Sequence, residues 1–215
     1  MIVPPSFLFQ YQLPILRVDD LPRKERGLVQ LPDATRVFVP SSLNDVTSGL
    51  DLKLAWNPEG LAIEIAVKGK VNPPTGRERD LRHSDYVQIY IDTRHTASVH
   101  RATEFCSAWR VIPADEAAKG KPTVQLIDLA QQRGTRRQQD AGRVMIAMQN
   151  LSGGYQLELW IPAGQLPGFS EIAEIGHLGF YLVVEDTELG QLPLSIGGDF
   201  PVAHDPSTWL QLILI

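Results

Sequence analysis

Residues 84–113, SDYVQIYIDTRHTASVHRATEFCSAWRVIP, decide the predicted fold. The stretch begins with strict alternation, in which Val87, Ile89 and Ile91 fall on one side of an extended chain and polar or aromatic residues fall on the other. It then passes through a charged connection at residues 93–102 and returns as an apolar, aromatic run at 104–112. This pattern predicts a β-hairpin with one face in a hydrophobic core.

Further short runs predict more strands. LKLAW (52–56) and LAIEIAV (61–67) are joined by Asn-Pro-Glu-Gly, and residues 144–148 precede 155–161 across a loop that ends in two glycines. LGFYLVVE (178–185) is apolar nearly throughout, as in a strand buried on both faces, and WLQLILI (209–215) closes the chain. No segment shows three turns of helical periodicity. The sequence therefore predicts an all-β fold with little helix, as two antiparallel sheets packed in a sandwich.

The size and charge of the chain limit its functions. The 215 residues are expected to form a single β-domain, with residues 1–49 as an extended and looped segment that packs on it. A net charge of -5 offers no basic face for nucleic acid. No window reaches the roughly 20 apolar residues of a membrane span. Residues 1–20 lack the features of a secretory signal, so a cytoplasmic location with no nucleic-acid or membrane partner is expected.

The set of strands resembles the family 9 carbohydrate-binding modules and the wider DOMON-like group of β-sandwiches. The resemblance covers about residues 50–215 and is carried by LKLAWNPEGLAIEIAV, SDYVQIYIDTR, GYQLELWIP, IGHLGFYLVVED and DPSTWLQLIL. It is nearest to uncharacterised stand-alone bacterial members, through HRATEFC at 100–106. The resemblance implies a jelly-roll-like sandwich that binds sugars or, in some members, haem. The family's pair of clamping tryptophans is not matched, since only Trp160 and Trp109 are candidates.

The outward faces of three predicted strands carry the mixture of side chains that sugar recognition needs. An aromatic ring packs against the C–H side of a pyranose, and planar polar groups bind its hydroxyls in pairs. If the strands are neighbours, one ligand-binding platform is formed by Gln88, Tyr90, Gln156, Glu158, Trp160 and Glu64. The alternative interpretation is an ordinary solvated sheet face.

The connection of the first hairpin concentrates charge, in Asp85, Asp92, Arg94, His100, Arg101 and Glu104. The favoured interpretation is a structural network in which the arginines pair with the carboxylates and hold the loop, and the alternative is a secondary site. An enzyme would require Asp92, His100, Arg101 and Glu104 to converge on an open pocket. The spacing of the histidines is not diagnostic of a metal site, so neither a metal nor a cofactor is predicted.

The leading hypothesis is a non-enzymatic domain that binds a carbohydrate or another small polar ligand on a sheet face. A second is a structural module that docks a protein partner through its sheet face or an edge strand. An enzyme, or a haem protein with Met145 and Met148 as candidate ligands by analogy with haem-binding relatives, is the third.

Overall fold

The structure is a computed structural model and describes residues 3–23, 28–44, 49–135 and 137–215. Parts of the predicted N-terminal segment, at 1–2, 24–27 and 45–48, lie outside the described residues. The strands are β1 (Gln12–Arg17), β2 (Leu50–Asn57), β3 (Gly60–Lys68), β4 (Tyr86–Asp92), β5 (Cys106–Asp115), β6 (Lys121–Leu126), β7 (Met145–Leu151), β8 (Gly154–Pro162), β9 (His177–Asp186), β10 (Gly190–Pro193) and β11 (Leu210–Leu214). One short helix, α1 (Ile172–Ile175), and several 3-10 turns accompany them. The predicted all-β class with little helix is confirmed.

Ten of the strands form one continuous hydrogen-bonded order, β6-β5-β4-β9-β11-β1-β2-β3-β8-β7, with β10 attached to β9. The two end strands, β6 and β7, lie close to each other, so the sheet is nearly closed. The predicted division into two antiparallel sheets is not confirmed, because β1 pairs in parallel with both β11 and β2 and joins the two halves. No described helix is long and apolar enough to cross a membrane.

The core is built by the alternation that the sequence shows. On β3, the side chains of Leu61, Ile63 and Ile65 are fully buried in the main cluster. Val87 and Ile89 of β4 belong to the same cluster and are also fully buried. Burying side chains of this size contributes roughly 1.5–3 kcal/mol each, so the period-2 pattern fixes which face of each strand turns inward. Trp109 of β5 also lies in this cluster.

The opposite faces of the strands are covered as well, which the period-2 pattern does not predict. Residues 28–31 pack over β2, β3 and β8 in a cluster that includes Val29, Ala62 and Trp160. The loop around residues 196–209 packs over β4, β5 and β9 in a cluster with Tyr90 and Tyr181. The expectation of one core face and one wet face is therefore wrong for both regions, because chain far away in sequence supplies the second layer.

Two short elements and one strand boundary differ from the sequence prediction. Strand β10 (Gly190–Pro193) lies between the predicted strands at 178–185 and 209–215, where no strand is predicted. Helix α1 (Ile172–Ile175) is a single turn and too short to show periodicity. Within the predicted extended and looped segment at residues 1–49, strand β1 begins only at Gln12, and Pro5–Phe7 form a 3-10 turn.

Candidate functional site

The residues of the predicted platform fall in two places. Gln88 and Tyr90 lie on β4, whereas the other four lie on the paired strands β3 and β8, where Glu64 is opposite Glu158. In the sheet order, β4 and β8 are separated by β9, β11, β1, β2 and β3. The condition that the strands be neighbours is met only by β3 and β8, so the single platform is not formed.

The β3–β8 part of that platform is sealed by the N-terminal segment. Glu158 Oε2 accepts the backbone N–H groups of Leu28 and Val29, each at 2.9 Å. Glu64 Oε2 accepts the backbone N–H of Leu31 at 2.8 Å, and its Oε1 pairs with Lys53 Nζ at 3.0 Å. Polar side chains that look solvated in the sequence are therefore acceptors for the covering chain. We call this region the sealed face.

Trp160 and Gln156 complete the sealed face. Trp160 is 3% exposed and lies in the same cluster as Val29. Gln156 is half-buried and its Nε2 donates to Glu158 Oε1 at 3.3 Å. An indole covered in this way has no flat surface left for a ligand.

The β4 part is covered less completely. Tyr90 is 2% exposed, with its ring centroid 5.6 Å from that of Trp209 and 6.1 Å from that of Tyr181. Burial raises the pKa of Tyr90 to about 12. Gln88 is half-buried and lines a cleft of about 420 Å³ between the sheet and residues 198–204. Of the six predicted residues, Gln88 and the nearly fully buried Tyr90 line this cleft.

Asp92 and Arg94 do not form the predicted ion pair. Asp92 is buried and accepts the backbone N–H of Arg94 at 2.9 Å, and burial raises the pKa of Asp92. The Arg94 guanidinium donates to Glu171 Oε2 at 2.7 Å and lies 4.8 Å from the ring centroid of Phe105. Arg94 therefore ties the hairpin connection to the turn before α1.

Asp85 is fixed by a different partner. It is fully buried, and its Oδ2 lies 3.2 Å from the ammonium of Lys70, which also contacts Asp186 Oδ1 at 2.9 Å. Its other oxygen accepts the backbone N–H and the hydroxyl of Thr187 at 2.7 and 2.8 Å. This buried cluster holds two loops together and does not involve the arginines.

The remaining residues of the predicted network lie apart from these. Glu104 pairs with Arg137 at 3.4 Å, and Arg101 is exposed without an ion pair among the described residues. Among the described residues, no side-chain hydrogen bond or ion pair joins any two of Asp92, His100, Arg101 and Glu104. The predicted network is thus replaced by separate contacts, and the convergence that an enzyme would need here is not formed.

The candidate haem ligands do not share a face. Met145 and Met148 lie three residues apart on β7, so their side chains point to opposite sides of the strand. They cannot bind one iron from the same side. Among the described residues, no group of three or more His, Cys, Asp or Glu side chains is placed to hold a metal ion.

A cleft of about 590 Å³ lies where three parts of the chain meet. Its walls come from residues 6–12, from the β4–β5 connection at residues 95–100, and from residues 195–211. We call it the aromatic cleft, because its lining includes Phe7, Phe9, Tyr11, Phe200 and Trp209. The volume lies in the range of pockets that hold small ligands.

Two of these rings present surface to the cleft at an angle to each other. Phe9 is 61% exposed, and its ring centroid lies 6.2 Å from that of Tyr11, with the planes 63° apart. Phe7 stacks on Phe200 with centroids 4.6 Å apart, which joins two of the walls. Trp209 is buried and donates its Nε1–H to a backbone carbonyl at 2.8 Å, so it supports the cleft from behind.

Planar polar groups lie around these rings. Gln12 of β1 donates from Nε2 to Oε1 of Gln211 on β11 at 2.7 Å, at a position where the two strands are paired. Asp205 accepts from Ser207 Oγ at 2.6 Å and contacts His100 Nδ1 at 3.0 Å. Burial disfavours the charged form of Asp205, but these hydrogen bonds outweigh burial and lower its pKa. The cleft therefore presents amides and an ionised carboxylate beside its aromatic surface.

His100, Asp205 and Ser207 are the residue types of a hydrolase triad without its geometry. In a working triad, one ring nitrogen takes the serine proton while the carboxylate holds the other. Here Ser207 Oγ and Asp205 Oδ2 both lie 3.0 Å from the same atom, Nδ1 of His100. This arrangement offers hydrogen-bonding groups and no proton relay through the ring.

Sequence reasoning missed most of this cleft. The alternation of Phe7, Phe9 and Tyr11 indicated an extended segment, but not which surface the rings would line. The sequence Asp-Pro-Ser at 205–207 is typical of a capped turn, and Asp205 does cap the 3-10 turn Pro206–Thr208. Nothing in the pattern relates that turn to the N-terminal segment.

The fold and the cleft together describe a β-rich domain with an aromatic cleft of about 590 Å³. The chain has the fold of a family 9 carbohydrate-binding module. Such a module from Caldicellulosiruptor kristjanssonii, in complex with cellotriose, is 15% identical, has a TM-score of 0.60, and the match covers 95% of this chain and 93% of that one. The structure with glucose has a TM-score of 0.62 at 15% identity, with 95% and 96% covered.

A protein from Bacteroides uniformis shares the fold at 13% identity, with a TM-score of 0.59 and coverage of 96% of this chain and 100% of that one. At such low identities the likeness concerns the fold alone. The sequence matches no protein-family model and no curated protein.

Proposed function

We propose that the protein is a non-enzymatic carbohydrate-binding domain and that the sugar lies in the aromatic cleft. The observation that carries the proposal is the juxtaposition of the exposed Phe9 ring, set at 63° to Tyr11, with the planar polar groups of Gln12, Gln211 and Asp205. A pyranose offers C–H groups to a ring face and hydroxyls to amides and carboxylates. The known structures with cellotriose and glucose support the choice of ligand class.

The proposal places the ligand away from the residues that the sequence pattern favoured. Trp160, Glu158 and Glu64 are covered by residues 28–31, and Tyr90 is 2% exposed. The finer architecture that we propose is a jelly-roll-like sandwich, with the β11–β1 pairing as the junction between its layers and the cleft beside that junction.

Isothermal titration with glucose and cellotriose tests the proposal. We expect saturable binding, weakened about fivefold in Phe9→Ala, because an aromatic contact of this kind contributes about 1 kcal/mol. The matched control is Met145→Ala, which removes a 45% exposed apolar side chain from β7 and is expected to leave the affinity unchanged. Absence of binding by the wild-type protein to any sugar of a mono- and oligosaccharide panel would contradict the proposal.

A second candidate function is protein docking through the N-terminal segment. Leu8 is 66% exposed and follows Phe7, which is 47% exposed, while Leu8 itself does not line the cleft. Leu8→Ser separates the two functions, since it is expected to leave sugar affinity intact. If instead a partner co-purifies with the wild type and is lost in Leu8→Ser, while no sugar binds, docking is the function.

A further inference from the structure

The lining of the aromatic cleft includes a buried imidazole whose ring nitrogens make no hydrogen bond with the described residues. His95 follows β4 in the hairpin connection, is 5% exposed and lines the cleft. Its Nδ1 is buried and has no hydrogen-bond partner among the described residues. Its Nε2 also makes no hydrogen bond with the described chain. A buried polar group without a partner costs about 1–3 kcal/mol, so an imidazole in this state needs an explanation.

The placement of the ring is specific. A Cβ at Gly179 of β9 would lie 2.6 Å from His95 Nδ1 and 2.8 Å from its Cγ, so the ring fits only because this residue has no side chain. The backbone carbonyl of His95 is contacted by His177 Nε2 at 3.1 Å, which fixes the loop from the other side. Because the Nδ1 side of the ring is buried against β9, Nε2 is the ring nitrogen left for a ligand in the cleft.

The surroundings of the ring keep it neutral. Burial lowers the pKa of His95 and the nearby His177 adds to this effect, while Asp92 opposes it. A neutral imidazole is either a donor or an acceptor at Nε2, and a sugar hydroxyl can serve as the partner in both cases.

We propose that His95 is the deep hydrogen-bonding anchor of the aromatic cleft, where its Nε2 pairs with a hydroxyl of a bound neutral sugar. This inference rests on the proposed function and adds a specificity-determining residue to it. The ligand completes the hydrogen bond of Nε2, which no described residue satisfies, while Nδ1 stays buried against β9.

The test compares three variants by thermal unfolding and by isothermal titration with glucose and cellotriose. His95→Leu is expected to bind about tenfold more weakly, the equivalent of one hydrogen bond, while its melting temperature is equal to or higher than that of the wild type. His95→Gln is expected to restore most of the affinity. The control, His83→Leu, removes an exposed imidazole that pairs with Asp80 and does not line the cleft, and is expected to bind normally.

A merely structural role predicts the opposite pattern, in which His95→Leu loses stability and keeps its affinity when folded. That result, with normal binding by the wild type, overturns the assignment of His95 and leaves the proposed function standing. If the wild-type protein binds neither glucose nor cellotriose nor any other sugar of the panel, both the proposed function and this inference are wrong.

Discussion

The sealed face and the aromatic cleft are built on the same sheet, but the first is covered by another part of the chain and the second is open. On the sealed face, the carboxylates of Glu158 and Glu64 accept backbone N–H groups of the covering segment at 2.8–2.9 Å. In the cleft, Asp205 accepts from Ser207 of the turn that it caps and contacts His100 of the β4–β5 connection, and the aromatic Phe9 stays 61% exposed.

The difference teaches what closes a polar sheet face. A carboxylate that satisfies otherwise unpaired backbone donors lets an irregular segment lie flat on a sheet without losing hydrogen bonds. No described segment covers the cleft in this way, and two of its walls contact each other at the Phe7–Phe200 stack. Polar side chains on the outward face of a strand therefore contact either solvent or a covering segment. Which of the two they contact depends on where residues distant in sequence are placed.

Among the substitutions that test this difference, Trp160→Ala is expected to change the free energy of unfolding the most. Because Trp160 is 3% exposed within the sealed face, truncation should leave a cavity and lower the free energy of unfolding by about 4 kcal/mol. Urea unfolding followed by circular dichroism measures the loss. Sugar affinity of the folded variant should be unchanged, and a large loss of affinity would return the binding site to the sealed face.

Glu158→Ala tests how the sealed face is closed. The change leaves the backbone N–H groups of Leu28 and Val29 without their acceptor, in addition to the longer contact from Gln30 at 3.4 Å. We expect the free energy of unfolding to fall by about 3 kcal/mol, measured by urea unfolding.

The matched control for that change is Glu188→Ala. Glu188 also accepts two backbone N–H groups, those of Val71 and Asn72 at 2.7 and 3.1 Å, but it is exposed to solvent. Water replaces the lost carboxylate there, so little change in stability is expected. Equal losses in the two variants would show that burial of the donors is not what makes Glu158 important.

Much of the fold was predictable from local pattern. The β2–β3 hairpin follows from two apolar runs and the turn between them, and β4 from strict alternation that places Val87, Ile89 and Ile91 in the core. The parallel pairings of β1 were not predictable, because they join residues 12–15 to 211–214 across nearly the whole chain. Local pattern contains no information on such long-range register.

The candidate site was predicted far less well, for a related reason. Its lining combines residues 6–12, 95–100 and 195–211, which are brought together only by β1, β4, β9 and β11 lying side by side. The strand faces that the pattern pointed to are regular, and regular strands are the part of the chain most easily covered. Phe9 and His95 lie outside the strands, where periodicity does not apply.

The smallest change in the free energy of unfolding is expected from Asp205→Asn, which tests a carboxylate of the cleft rather than of the sealed face. The substitution weakens the acceptor for Ser207 and His100 and should lower the free energy of unfolding by about 1 kcal/mol at pH 7. Since the folded pKa of Asp205 lies below the usual 3.8, this contribution is present above that pH and is lost as the pH falls through the folded pKa. Urea unfolding at pH 7 and at lower pH should therefore show the two proteins converging in acid. A difference that persists below the folded pKa would mean that Asp205 acts through its shape and not its charge, and the cleft would then differ from the sealed face in openness alone.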